Sequence, residues 1–201
     1  MTKLFLHVGC GGARQAQTPF STQSGVWHET RMDVDPAAEP DILGSMTDLS
    51  KIPAGSFDAV YSSHSIEHLY PHEVPVALAG FRRVLAQGGF ALIACPDLQS
   101  VCALVAQGNL TETAYVSPAG PIAPLDILYG HRPSLAIGQS YMAHRTGFTL
   151  MSLETELRHA GFATVVGARR EGPYFDLWAA AFVSAPADDV IEATVAAFFP
   201  T

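Results

Sequence analysis

Leu4-Phe5-Leu6-His7-Val8-Gly9-Cys10-Gly11-Gly12 decides how this chain is read. A mostly apolar run of strand length ends in a turn built largely of glycine. An apolar run with little polar alternation suits a parallel strand covered on both faces. Glycines at its end let the backbone approach a ligand closely, because a Cβ would collide with it. Working outward, His28 to Val34 reads as a second strand, finishing at Asp33-Val34-Asp35-Pro36, where the proline enforces a turn. Asp41-Ile42-Leu43 is a short third strand, Phe57 to Ser62 a fourth and the uniformly apolar Phe90 to Cys95 a fifth. From Pro71 to Leu85 the apolar residues Val74, Leu78, Phe81 and Leu85 mark one helix face, with Gly88-Gly89 beyond its end. Strands alternating with helices predict a parallel sheet with helical crossovers. The first crossover, Ala13 to Trp27, is the exception: it is polar, holds Pro19 and shows no apolar repeat, so it reads as loop or at most a short helix.

Beyond the fifth strand, Pro96-Asp97 opens a helix from Leu98 to Ala106. Residues 108–149 are rich in Gly, Pro, His and Tyr and keep no sustained period, which predicts an irregular, functional insertion. Regular structure resumes with Ser152 as N-cap, Glu154 and Glu156 in the first turn and Gly161 as C-cap. Phe162 to Arg170 and Tyr174 to Val183, joined by Glu171-Gly172-Pro173, predict a hairpin, and Asp188 to Phe199 closes the chain as an amphipathic helix. The expected architecture is one α/β domain over residues 1–201. It has a Rossmann-like, mostly parallel sheet, a C-terminal antiparallel hairpin, helices on both faces and a cap at 108–149 after strand five.

Composition narrows the function. Hydrophobic residues make up 48% of the chain and charged ones 15%, which marks a globular protein. No apolar stretch is long enough to cross a bilayer, and no secretory leader pattern opens the sequence. The three cysteines, Cys10, Cys95 and Cys102, show no C-x-x-C spacing, which fits the reducing cytoplasm. A net charge of −8 without a basic cluster argues against nucleic acid, whose phosphates need Lys and Arg to displace their counterions. A small-molecule substrate fits better.

Asp33 falls about twenty residues past the glycine loop, at the end of the second strand, where an acid can accept hydrogen bonds from both ribose hydroxyls of an adenosine. Asp35 reads as a turn residue before Pro36. Taken with Leu6 to Gly12, Phe57-Asp58-Ala59-Val60, His64-Ser65-Ile66-Glu67-His68-Leu69 and Leu85-Ala86-Gln87-Gly88-Gly89, these stretches resemble the ordered motifs of class I S-adenosylmethionine-dependent methyltransferases. The type 11-like subgroup is the most similar, and the resemblance covers residues 4–97 most strongly.

The resemblance implies S-adenosylmethionine as cofactor. Val8, Gly9, Cys10, Gly11 and Gly12 match the loop around its methionine part, and Asp33, with Val34 beside it, matches the ribose acid. Ser45 and Met46 match the adenine surroundings. Many members carry Asp at the position of Ser45, which leaves Asp48 as a substitute. Ser63, His64 and His68 match the segment after the fourth strand, where the methyl group would face a substrate. Two departures stand out: the sequence starts almost at strand one, without the helices that usually cover the cofactor, and the first crossover offers no clear helix N-terminus for the carboxylate.

Methyl transfer to a protonated oxygen or nitrogen often needs a base, and histidine titrates near neutrality. His64, His131 and His144 are the catalytic candidates. In the cap, Tyr129, Arg132, Tyr141 and Arg145 are candidates for substrate binding, the arginines either gripping an anion or pairing with the surplus acids. Among the eight histidines, His72, His131 and His144 show no metal-ligand spacing, so no metal is expected. Phe198-Phe199 are expected to pack on the sheet or on a partner subunit, which leaves a homodimer open. Two other functions compete: a cofactor-binding regulatory or complex subunit without transferase activity, and a nicotinamide-dependent oxidoreductase. The latter is disfavoured because Arg14 stands where G-x-G-x-x-G needs its third glycine.

Overall fold

The computed structural model describes residues 2–23, 25–170 and 174–200. The chain runs through β1 (Lys3–Val8), β2 (Trp27–Asp33), β3 (Ile42–Leu43), β4 (Phe57–Ser63), α1 (Val74–Val84), β5 (Leu85–Pro96) and α2 (Leu98–Ala106). A short hairpin of β6 (Tyr115–Ser117) and β7 (Gly120–Ile122) follows, then α3 (Pro124–Tyr129), α4 (Arg132–Ala136), α5 (Leu150–His159), β8 (Thr164–Arg170), β9 (Asp176–Phe182) and α6 (Asp188–Phe198).

Seven strands form one sheet in the order β3-β2-β1-β4-β5-β9-β8. β1 to β5 are parallel, while β9 inserts antiparallel between β5 and β8. The expected mostly parallel sheet with an antiparallel C-terminal pair is therefore present. The expected turn at Glu171-Gly172-Pro173 lies outside the described residues. Successive residues of the central strands are buried on opposite faces, so each face needs a cover. Leu6, Val60, Ile93 and Leu177 share one cluster with Leu78 and Phe81 of α1 and Leu153 and Leu157 of α5. Phe5, Tyr61, Leu92 and Trp178 share the other with Phe20, Trp27 and Phe198.

The first crossover is made of two 3-10 turns, Gln15–Gln17 and Pro19–Gln23. Phe20 does the packing that a helix would do, stacking 4.1 Å from Phe5 and tilting 4.6 Å from Phe198. One aromatic ring buries more apolar area than any other side chain so short a turn could offer. Phe198 thus packs on the sheet of its own chain.

Three expectations are corrected. β5 begins at Leu85, directly after α1, because Leu85 pairs with Phe57 across an irregularity in the ladder. The N-cap of α5 is Thr149, whose hydroxyl accepts from the Ser152 amide at 3.2 Å while Ser152 reaches back to the Thr149 amide at 3.0 Å. Ser152 therefore closes a capping box three residues in. The insertion is ordered: its strands and helices run only three to six residues, too short to show a period in sequence.

Candidate functional site

In an open parallel sheet, ligands bind beyond the carboxyl ends of the strands where the strand order reverses, here beside β1 and β4. A cavity of about 500 Å3 lies there. Val8, Gly9, Gly11, Asp33, Val34, Ser45, Met46, His64 and His68 all line it, whereas Cys10, Gly12 and Ser63 do not. Cys10 is buried in the fold, and burial pushes its thiol up to about 11 against the opposing pull of Arg31. Asp48 also stays outside the cavity and accepts from the Ser50 amide at 3.1 Å.

The glycine loop is held by what lies beneath it. Gly9 has φ +66°, and a Cβ there would stand 2.2 Å from the Ser65 Oγ. The Gly9 and Cys10 amides both donate to the Met32 carbonyl, at 2.9 and 3.2 Å. Asp33 accepts from the Gly11 amide at 2.7 Å and from the Asp35 amide at 2.9 Å. Arg31, buried below, donates to the carbonyls of Gly11, Ala13, Ala38 and Glu39. Its guanidinium fixes loop ends that a crossover helix would otherwise anchor. Nothing in the spacing of the sequence singled it out.

The cap completes the wall. Ser134, Gln139, Tyr141, Met142 and Arg145 line the same cavity, so the inserted segment covers it. The Tyr141 hydroxyl donates to Asp35 at 2.6 Å, and this bond raises the Tyr141 pKa and lowers that of Asp35. Asp35 is thus both the expected turn residue, accepting from the Ala37 amide at 2.9 Å, and the anchor of the cap.

A second cavity of about 360 Å3 shares His64, His68, Ser134 and Met142 with the first. His131 and His144 line it with Tyr115, Glu67 and Asp126. The three candidate catalytic histidines therefore meet at this chamber. Tyr141 and Arg145 face the first cavity instead, and Tyr129 and Arg132 line neither. Tyr129 is exposed, and Arg132 closes bidentately on Asp126 at 2.6 and 2.9 Å, as the pairing reading of the arginines expected.

His64 follows β4 in a left-handed conformation, φ +49°, unusual for a side chain of this size and a common mark of functional loops. Its ring sits 3.8 Å from Asp176 and 3.7 Å from Glu67. Burial disfavours the imidazolium, but the two carboxylates outweigh it and raise the His64 pKa. Burial also leads at His144, where it wins and lowers the pKa. Glu67 is 1% exposed and pairs with His64, three residues earlier, at 3.7 Å, while neither carboxylate oxygen has a hydrogen-bond partner among the described residues.

Comparison with known proteins agrees with this architecture. Residues 6–93 match the family model of a methyltransferase domain. No protein of curated function matches the chain in sequence. Among solved structures, a SAM-dependent methyltransferase from Archaeoglobus fulgidus aligns with TM-score 0.59 at 15% identity over 90% of this chain and 86% of its own. The Burkholderia thailandensis 1,6-didemethyltoxoflavin-N1-methyltransferase, with 1,6-didemethyltoxoflavin and S-adenosylhomocysteine bound, gives 0.58 at 17% identity over 92% and 72%. A SAM-dependent methyltransferase from Thermotoga maritima gives 0.57 at 13% identity over 92% and 84%. The likeness to class I S-adenosylmethionine-dependent methyltransferases read from the motifs holds in both sequence model and fold.

Proposed function

We propose that this chain transfers a methyl group from S-adenosylmethionine to a small-molecule acceptor held in the second cavity. The observation that carries the reading is the pair of adjoining cavities with His64 and His68 on their common wall. The first cavity fits the cofactor. Its volume lies in the range of small-molecule sites, roughly 300–1,000 Å3. Gly9 lines it with backbone alone, and each Asp33 oxygen, already accepting one amide, keeps a lone pair for a ribose hydroxyl.

When bound, the cofactor supplies an electrophilic methyl group on a sulfonium. The protein's part is alignment and exclusion of water. Asp33 and the glycine loop hold the nucleoside and methionine ends, with Ser45 and Met46 beside the base. Among the described residues Arg145 is the one guanidinium on the first cavity's wall, and we assign it to the cofactor carboxylate, a role that 3-10 turns in the first crossover leave open. Tyr141 latches the cap over the cofactor. Facing the acceptor, His64 takes the proton that leaves with transfer, its imidazolium steadied by Asp176 and Glu67, while His131 and His144 orient the acceptor. The Burkholderia relative, with acceptor and S-adenosylhomocysteine bound in one fold, supports a small-molecule acceptor. A purely regulatory subunit would have no need of the second, histidine-lined chamber.

Calorimetric titration with S-adenosylmethionine and S-adenosylhomocysteine tests the first half: saturable binding of both, lost in Asp33→Ala, is expected. An acceptor screen monitored by S-adenosylhomocysteine release tests the second. Binding without turnover on any acceptor would favour the regulatory reading.

A further inference from the structure

Glu67, His68 and His144 offer ligand atoms that all lie within 4.8 Å of one another. His68 and Glu67 come from the turn after β4, and His144 from the cap, more than seventy residues later. The cap is stitched onto this turn: the Arg145 and Thr146 amides donate to the Glu67 carbonyl at 2.8 and 3.2 Å. Both imidazoles are fixed in the same way. The Nδ1 of His68 lies 3.2 Å from the Ala143 carbonyl and that of His144 lies 2.7 Å from the Ile127 carbonyl. A carbonyl can only accept, so each Nδ1 carries the proton and each Nε2 presents a lone pair. This is how metal-ligating histidines are oriented from behind.

Glu67 is the independent observation. It is 1% exposed, with both oxygens unpartnered among the described residues. A buried carboxylate without hydrogen bonds is costly unless a cation meets it. His64 lies 3.7 Å from Glu67, beyond hydrogen-bond reach, and shares its charge with Asp176 at 3.8 Å, so it meets the Glu67 charge only in part.

We propose that Glu67, His68 and His144 bind a divalent transition-metal ion of the zinc class. Two imidazoles and one carboxylate suit zinc and its neighbours, whereas magnesium and calcium prefer all-oxygen ligands. A four-coordinate ion sets its ligand atoms about 3.4 Å apart, so small side-chain rotations close the cluster. Three protein ligands leave a coordination position free, and Glu67, His68 and His144 all line the second cavity. That position would take an oxygen or nitrogen donor of the acceptor, beside the shared wall with the cofactor cavity. The same ion would clamp the cap, through His144, to the edge of the sheet. In the loaded protein the His144 contribution to orienting the acceptor acts through the ion. The role given to the ion, though not its binding, rests on reading the second cavity as the acceptor chamber.

The test uses the whole chain, stripped with a chelator and dialysed. Zinc chloride is titrated by calorimetry, and cobalt(II) by visible absorption, whose d–d bands report coordination directly. One equivalent of saturable binding is expected, weakened about 100-fold or more in Glu67→Gln and in His144→Ala, and unchanged in His72→Ala, an exposed histidine stacked on Tyr70. S-adenosylhomocysteine binding, measured on the same preparations, shows that each variant is folded. No saturable zinc or cobalt binding, or binding that survives both ligand substitutions, overturns the site while leaving the methyltransferase reading intact if S-adenosylhomocysteine still binds. Loss of S-adenosylhomocysteine binding in the unsubstituted protein sinks that reading instead, whatever zinc does.

Discussion

The carboxylate of Asp33 and the amide of Gly11, 2.7 Å apart, tie the end of β2 to the glycine loop after β1. The residue expected to hold the ribose is therefore also one that shapes the glycine loop. Asp33→Asn separates these duties poorly, because an amide can accept on one side only and would turn its NH2 towards a backbone N–H. Charge-assisted hydrogen bonds contribute about 1.5–3 kcal/mol each, so S-adenosylhomocysteine affinity should fall roughly 10- to 100-fold. Calorimetry on the variant checks this, and an unchanged affinity would remove Asp33 from the cofactor site.

Gly9 and Gly12 look alike in sequence and differ in structure. A Cβ on Gly9 meets Ser65 Oγ at 2.2 Å and Ser65 Cβ at 2.6 Å, and the backbone is left-handed as well. At Gly12 nothing lies within 4 Å. Gly9→Ala should cost more than about 3 kcal/mol, combining the left-handed penalty with overpacking, whereas Gly12→Ala should be nearly neutral. Adding Ser65→Gly to Gly9→Ala should recover the packing part and leave the backbone part. Chemical denaturation of the four proteins reads all of this.

Tyr141 and Asp35 are 106 positions apart and join at 2.6 Å on the wall of the first cavity. Tyr141→Phe removes that bond and little else. Global stability should change little, because solvent screens both groups. Hydrogen exchange around residues 139–145 should quicken, and the dissociation rate of S-adenosylhomocysteine should rise. Unchanged exchange in that segment would mean that the latch does not hold the cap.

The parallel strands were legible because apolar runs report burial on both faces, the glycine loop because backbone geometry restricts which residues fit there, and Asp33 because an acid at that spacing past the loop can accept from ribose hydroxyls. The cap was legible only as an absence of period, since helices of five or six residues such as α3 and α4 complete too few turns to reveal a face. Arg31 was invisible because its partners are carbonyls, which leave no trace in side-chain identity. The meeting of Glu67 and His68 with His144 was hidden for a related reason: chain spacing shows a ligand set only when its members lie on one turn or one helix. Here a loop docks across the sheet edge to bring them together.

Asp126 gives the cap a pH dependence of definite sign. Its buried carboxylate accepts from the Arg132 guanidinium at 2.6 and 2.9 Å and from the Ala123 amide at 2.9 Å. The Arg132 hydrogen bonds outweigh burial and hold its pKa down at about 2. A depressed carboxylate stabilises fully above its unfolded pKa, about 3.9, and that stabilisation is lost as pH falls towards 2. Arg132 is half exposed, so solvent screening limits the contribution to on the order of 1–2 kcal/mol. Amide exchange of residues 124–136, corrected for intrinsic rates, should lose protection between pH 4 and about 2, before the central strands do. Asp126→Asn should be less protected at neutral pH and show no further loss in that window. Protection that stays flat down to pH 2 in the unsubstituted protein would show that the Asp126–Arg132 pair does not hold the cap together.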